Sequence, residues 1–374
     1  MHITFFEHFY QMWAPYEPFL PPRRMCGAGE TSFMYLARAL TQRGHEVTIT
    51  CPTEYDGVFE GVRWTKDYIK STDIAIAGES AAGLENIDAG LKIVDCQCNN
   101  LDISKREPII DLIVTRSAWH SHAIDQITAD IPLEKYRVIG NGVDLSQYSQ
   151  PLPRIPGKIL WTSSPDRGLH HLLRFFPRIR EQIPKAELHV YYAFEPVFEG
   201  NRWGMNILSE NVWRVKRALE NTEGVIFHGG VGRLELIQAQ QDASLLCYPC
   251  DTARWTEGFC VSLMEACASG LPSLTTACDA LGEIYGGTVP MLEMPICDDD
   301  WVEVSVEMLT HPQEHQESVA KGQALAAAHS WGIIAEKWEK MLITAWEAKH
   351  GELPANPNGH QAHSNALPIP AGRL

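Results

Sequence analysis

The 374-residue sequence has no apolar run long enough to cross a bilayer, which takes about 20 consecutive apolar residues. It is also poor in positive charge. Lys and Arg total 31 against 47 Asp and Glu, a formal net charge of −16. Binding nucleic acid needs a basic surface, so nucleic acid is not an expected partner. The same deficit disfavours docking on an anionic membrane, and any membrane contact is expected to be peripheral at most. The start, MHITFFEHFYQMW, lacks a basic leader followed by an apolar stretch. It reads as a first strand, and a cytoplasmic location is expected. Cys96 with Cys98 and Cys247 with Cys250 are local pairs. No second pair or histidines stand at zinc-ligand spacing, so these read as buried thiols.

What is present is the composition of a globular protein, 45% hydrophobic and 21% charged. The length exceeds one ordinary core and implies two domains. The first half alternates short apolar runs (1–6, 46–51, 74–77, 92–94, 109–115) with helical periodicity over 30–43. Such alternation predicts a mainly parallel sheet covered by helices. The stretch VIGNGVDLSQY at 138–148 and the prolines of PLPRIPGK read as a turn and a linker. Beyond them the alternation restarts, with strands over 158–162, 187–193, 224–227 and 244–248 and helices over 169–181 and 260–269. We therefore expect domains at 1–155 and 156–350, the last helix packing back on the first domain. A Pro-, Asn- and His-rich tail at 351–374 is expected to be disordered. Ligands of such sheets bind beyond the carboxyl ends of the strands, so function is sought in the loops there.

Helix 260–269 is apolar on nearly every face except at Glu265. A buried carboxylate needs partners, either a neighbouring Arg or backbone amides, or the hydroxyls of a ligand. Glu257 precedes Gly258, which lets the backbone approach a ligand closely. The amides of Gly258, Phe259 and Cys260 surround the helix start, where the helix dipole favours an anion. One loop thus offers a carboxylate for hydroxyls and amides for phosphate, which suits a sugar diphosphate.

The segment TEGFCVSLMEACASGLP resembles the signature of the retaining group 1 glycosyltransferases, family 4, in which two glutamates are separated by seven residues. Glu257 and Glu265 match that spacing. The resemblance implies the GT-B fold, two facing Rossmann-like doubly wound parallel-sheet domains with an interdomain cleft. It implies transfer of a hexosyl unit, with retention and without a metal or other cofactor, from a nucleoside diphosphate sugar, UDP- or GDP-linked. The partner would be a glycan or small-molecule acceptor. It places Glu257 on the donor sugar and Glu265 on the nucleotide ribose. GAGET at 27–31 resembles the family's glycine-rich first loop, with Gly27 and Gly29 approaching the phosphates. NGVD at 141–144 resembles its hinge, and Ser330-Trp331 a packing feature. Arg167, in SSPDRGL, matches the basic residue that neutralises the diphosphate. The sequence departs from the family where a second basic residue is usual and Thr162 stands, and where IVDCQCNNL lacks a histidine. Asp95, Gln97 or Asn99 are the candidates to replace that histidine. The same fold also serves sugar-nucleotide epimerases, phosphorylases and noncatalytic binding subunits.

Other residues lie outside the signature. Asp298–Asp300 precede an amphipathic helix and read as helix-start charges, not as metal ligands. His120 and His122 read as half-buried on a helix face. Arg116, at a strand end, is an acceptor-side cleft candidate. The segment 8–24, with Trp13 and Tyr16 among several prolines, is long enough to be functional and is expected to help bind the acceptor.

Overall fold

The computed structural model describes residues 1–6, 28–53, 55–78, 80–97, 103–128, 131–192, 209–251 and 257–354. Trp13, Tyr16, Gly27, Asn99 and residues 355–374 of the expected tail lie outside this set.

The first sheet has eight strands. They are β1 (His2–Phe6), β2 (Glu46–Thr50), β3 (Gly57–Phe59), β4 (Val62–Thr65), β5 (Ser71–Gly78), β6 (Asp88–Asp95), β7 (Leu112–Thr115) and β8 (Tyr136–Val138), in the order β3-β4-β2-β1-β5-β6-β7-β8. Only the β3–β4 hairpin is antiparallel. Helices α1 (Ala28–Gln42) and α2 (Ala118–Thr128) flank it. The apolar run at 109–115 is not one strand. Its first residue closes a 3-10 turn over Ser104–Ile109, and pairing starts at Leu112.

The second sheet is wholly parallel, in the order β11-β10-β9-β12-β13-β14. Its strands are β9 (Lys158–Trp161), β10 (Glu187–Tyr191), β11 (Val225–Gly229), β12 (Leu245–Tyr248), β13 (Ser273–Thr276) and β14 (Met291–Leu292). The helices between and after them are α3 (Leu169–Gln182), α4 (Ser209–Asn221), α5 (Arg233–Asp242), α6 (Val261–Ala268), α7 (Ala280–Tyr285), α8 (Asp298–Thr310) and α9 (Gln316–Ala328). The central strands are buried along their whole length because helices cover both faces, which is why they read as continuous apolar runs. Strand order reverses between β9 and β12, so the loops after these two strands splay apart and leave a crevice.

A last helix, α10 (Trp331–His350), returns to the first sheet. Ile334, Trp338 and Leu342 are buried with Phe33, Leu36 and Leu40 of α1. Glu339 binds Arg43 Nε at 2.9 Å and His45 Nε2 at 3.0 Å. The returning chain passes the 140–143 turn, where Val143 N donates to His329 O at 2.9 Å. A Cβ on Gly142 would lie 2.4 Å from the Trp331 ring, so this crossing needs a glycine.

Candidate active site

Arg167 ends a 3-10 turn (Pro165–Arg167) in the loop after β9, and Glu257 lies in the loop after β12. They meet over the crevice between those strands. Gly168 allows the approach. It has φ +111°, and a Cβ there would lie 2.0 Å from Pro249 O. Arg167 Nε stands 3.3 Å from Glu257 Oε1, which also accepts from Tyr248 Oη at 2.6 Å. Burial pushes the Glu257 carboxyl above its usual range, while Arg167 and the Tyr248 hydroxyl oppose that shift. Burial likewise works against the Arg167 charge, but Glu257 and Asp166 outweigh it and raise its pKa.

Three polar atoms within six residues after β9 are buried without a hydrogen-bond partner among the described residues: Thr162 Oγ1, Asp166 Oδ1 and Arg167 Nη1. An unmade buried hydrogen bond costs roughly 1–3 kcal/mol, so their grouping in one place marks where a polar ligand would be stabilised. Tyr192, just past β10, joins them. It bonds with Ser164 and lies within electrostatic reach of both Arg167 and Glu30, in the first turn of α1. The start of α1 therefore faces the Arg167 loop across the crevice. Gly29 is in that first turn and not in a loop before the helix, because α1 begins at Ala28.

Comparison with known proteins completes the picture. Residues 162–317 match the family model of the glycosyl transferases group 1, a span that takes in Thr162, Arg167, Glu257 and Glu265. Over that stretch the chain is similar to the group 1 glycosyltransferases. Its fold is GT-B. Sucrose-phosphate synthase from Thermosynechococcus elongatus superposes with a TM-score of 0.68 at 14% identity, over 93% of this chain and 99% of that one. Anabaena HepE, solved in complex with UDP and glucose, superposes with a TM-score of 0.64 at 14% identity, over 92% and 100%. A sequence relative is MMP alpha-(1->4)-mannosyltransferase from Mycolicibacterium hassiacum, 26% identical over 233 residues, which are 61% of this chain. The match spans about half, 52%, of that relative's length.

Within the matched stretch Glu265 is not an isolated acid. Its Oε1 receives Arg233 Nη1 at 2.6 Å and its Oε2 receives Gln240 Nε2 at 2.9 Å. Arg233 continues to Gln147 and to the Tyr148 hydroxyl, and Gln147 bonds to Tyr35 of α1. The Arg partner weighed for Glu265 is therefore real, and the chain of contacts runs from α6 through the 145–148 turn to the other domain.

The Glu257–Cys260 loop is held from the first domain. Ser117 Oγ donates to Gly258 O at 2.8 Å. Glu283, on α7, accepts the first amides of α2, Ala118 N at 2.8 Å and Trp119 N at 2.7 Å. His120 is not half-buried. It is 1% exposed, and a Cβ on Gly258 would lie 2.9 Å from its Nδ1. Its burial comes from the opposite domain, which helix periodicity does not report. His122 is exposed on α2. Phe259 packs near Tyr285, His329 and Gly140. Tyr285 Oη donates to the carbonyls of Phe259 and Cys260 at 3.0 and 2.8 Å. Cys260 adopts the left-handed conformation, φ 63°, as N-cap of α6.

Arg116 is placed in a buried ion pair with Asp95, and its Nη1 donates to Asn141 Oδ1 at 3.2 Å. Gln97 closes the circuit, donating to Asp95 Oδ2 at 3.0 Å and accepting Asn141 Nδ2 at 3.1 Å. Asp95 and Gln97 are thereby tied to the 140–143 turn. Asp298 and Asp299 pair with Arg174 and Arg178 at the start of α8, as helix-start charges do. Tyr192, Arg233, His120 and Glu283 were absent from the sequence-based site. None stands in a local motif, and each acquires its place through a partner far along the chain.

Proposed function

We propose that this chain transfers a hexosyl unit from a nucleoside diphosphate sugar to an acceptor hydroxyl, with retention at the anomeric carbon and without a metal. Glu257 and Arg167, paired 3.3 Å apart with Arg167 Nη1 lacking a hydrogen-bond partner among the described residues, carry the reading. In this reading Arg167 neutralises the charge that develops on the leaving diphosphate, aided by the amides at the start of α1 with Gly27 and Gly29 and those of Gly258, Phe259 and Cys260. Glu257 positions the sugar. Glu265 accepts the ribose hydroxyls. A carboxylate offers about four lone-pair sites, and Arg233 and Gln240 engage one on each oxygen. The unpartnered Thr162 hydroxyl takes the place of the second basic residue by donating to a phosphate oxygen. We further propose two domains, 1–155 and 156–350, a glycan or small-molecule acceptor, and a cytoplasmic site of action. Among the described residues no helix is long and apolar enough to cross a membrane.

UDP leads the candidate donors, because HepE is a UDP complex on the same fold. A thermal-shift screen against UDP, GDP, ADP and their sugars tests the reading. Ligand at 100 times its Kd stabilises the fold by about 2.7 kcal/mol, so the true nucleotide should raise the melting temperature visibly. If no nucleotide does so, the donor assignment is wrong. Gly258→Ala is expected to push the loop off His120 and raise the donor KM by roughly tenfold or more. Steady-state kinetics showing an unchanged donor KM would separate this loop from the donor.

A further inference from the structure

Cys250 and Cys278 follow the neighbouring parallel strands β12 and β13. Tyr248 is opposite Thr275, so the register carried on by two residues sets Cys250 beside Ala277. Adjacent strands lie about 4.8 Å apart, so Cys278, the residue after Ala277, also comes close to Cys250. The two side chains are close enough for each to shift the other's ionisation. The Cys278 thiol donates to Cys250 O at 3.4 Å, and Thr276 Oγ1 donates to that same carbonyl at 2.7 Å.

The pair is asymmetric. Cys250 is buried, and burial pushes its thiol well up. Cys278 is partly exposed, and the hydrogen bond from Cys250 lowers its pKa against the effect of burial. Cys247 and Cys267, by contrast, are pushed up to about 12 by burial. A reachable thiol whose pKa is lowered, beside a buried one whose pKa is raised, is the arrangement of an attacking and a resolving cysteine. The next residue, Asp279, accepts Glu257 N at 3.2 Å, and Ala280 N donates to Glu257 O at 3.1 Å. Asp279 has φ 49° without being glycine, so this turn has little freedom to absorb a shift.

We propose that Cys278 and Cys250 form a peroxide-reactive modification site, whose closure to a disulfide displaces Glu257. The Cys278 thiolate attacks a peroxide oxygen. An S–O bond forms, the O–O bond breaks, and the leaving hydroxide becomes water by taking up the proton that Cys278 released to solvent when its thiolate formed. The Cys250 sulfur then attacks Cys278. The S–S bond forms, the S–O bond breaks, and the hydroxyl leaves as water with the Cys250 proton. The dithiol is oxidised by two electrons, and one hydrogen peroxide is reduced to two waters.

The full chain treated with hydrogen peroxide is expected to yield, on non-reducing peptide mapping, a linked Cys250–Cys278 peptide that dithiothreitol reverses. A displaced Glu257 lowers transfer on the order of 10²-fold, with recovery on reduction. Cys278→Ser keeps the basal rate and loses the peroxide response; Cys278→Ala serves if the serine variant folds poorly. No linked peptide, a link to another cysteine such as the exposed Cys297, or a Cys278→Ser protein as peroxide-sensitive as its parent overturns the proposal. The effect on rate rests on the transfer reaction proposed above. The peptide map needs no turnover, so the failure of one is distinguishable from failure of the other.

Discussion

Glu257→Gln is expected to lower kcat by about 10²–10³-fold, the scale for removing one preorganised electrostatic group from an active site. Glutamine keeps the shape, and its carbonyl oxygen can still accept from Tyr248 Oη, which bonds Glu257 at 2.6 Å. What it removes is the negative charge opposite Arg167, 3.3 Å away. Among the described residues Arg167 then keeps Asp166, at 3.6 Å, as its close counter-charge, and is expected to swing toward it. Burial already disfavours the Glu257 charge, so its loss need not unfold the domain. Kinetics and a melting curve on the same preparation check both halves. Full activity in a folded Glu257→Gln protein would remove Glu257 from the mechanism. A collapsed melting temperature would instead show that the pair is structural.

The second large effect is on stability. Glu265→Ala leaves Arg233 buried without its carboxylate, and breaking such a pair costs about 3–5 kcal/mol. For a domain of this size that corresponds to a drop in Tm on the order of 10 °C. The surrounding groups make the loss worse. Gln240 also loses its acceptor, and Tyr148 Oη and Gln147 remain around an uncompensated guanidinium. Denaturant unfolding measures it. The double variant Glu265→Leu with Arg233→Met should recover most of the lost stability, since apolar replacement of a whole buried pair is often neutral. Nucleotide affinity in that double variant then decides the second role. Parent-like binding would show that Glu265 serves the network and not the ribose.

Glu265 shows where sequence reasoning stopped. That a carboxylate in an apolar helix needs a partner follows from the helix itself. Which partner it has does not, because Arg233 stands 32 positions earlier, on another helix. His120 was misjudged for the same reason, since the residue that buries it, Gly258, belongs to the other domain. Short edge strands such as Gly57–Phe59, Tyr136–Val138 and Met291–Leu292 were also illegible, being too short to show a period. The pairing of Cys250 with Cys278 was hidden behind a local spacing, Cys247 to Cys250, that does not bring those two thiols together.

The sequence by itself determined the two alternating α/β halves, the buried parallel strands and the Glu257–Glu265 segment, because periodicity, helix stop signals and motif spacing act within a few residues of chain. Only the tertiary structure decided that Arg167 meets Glu257, that Arg233 holds Glu265, and that His120, Ser117 and Glu283 clasp the two halves together. Those contacts depend on strand order and on one domain facing the other, and no local run of residues encodes either.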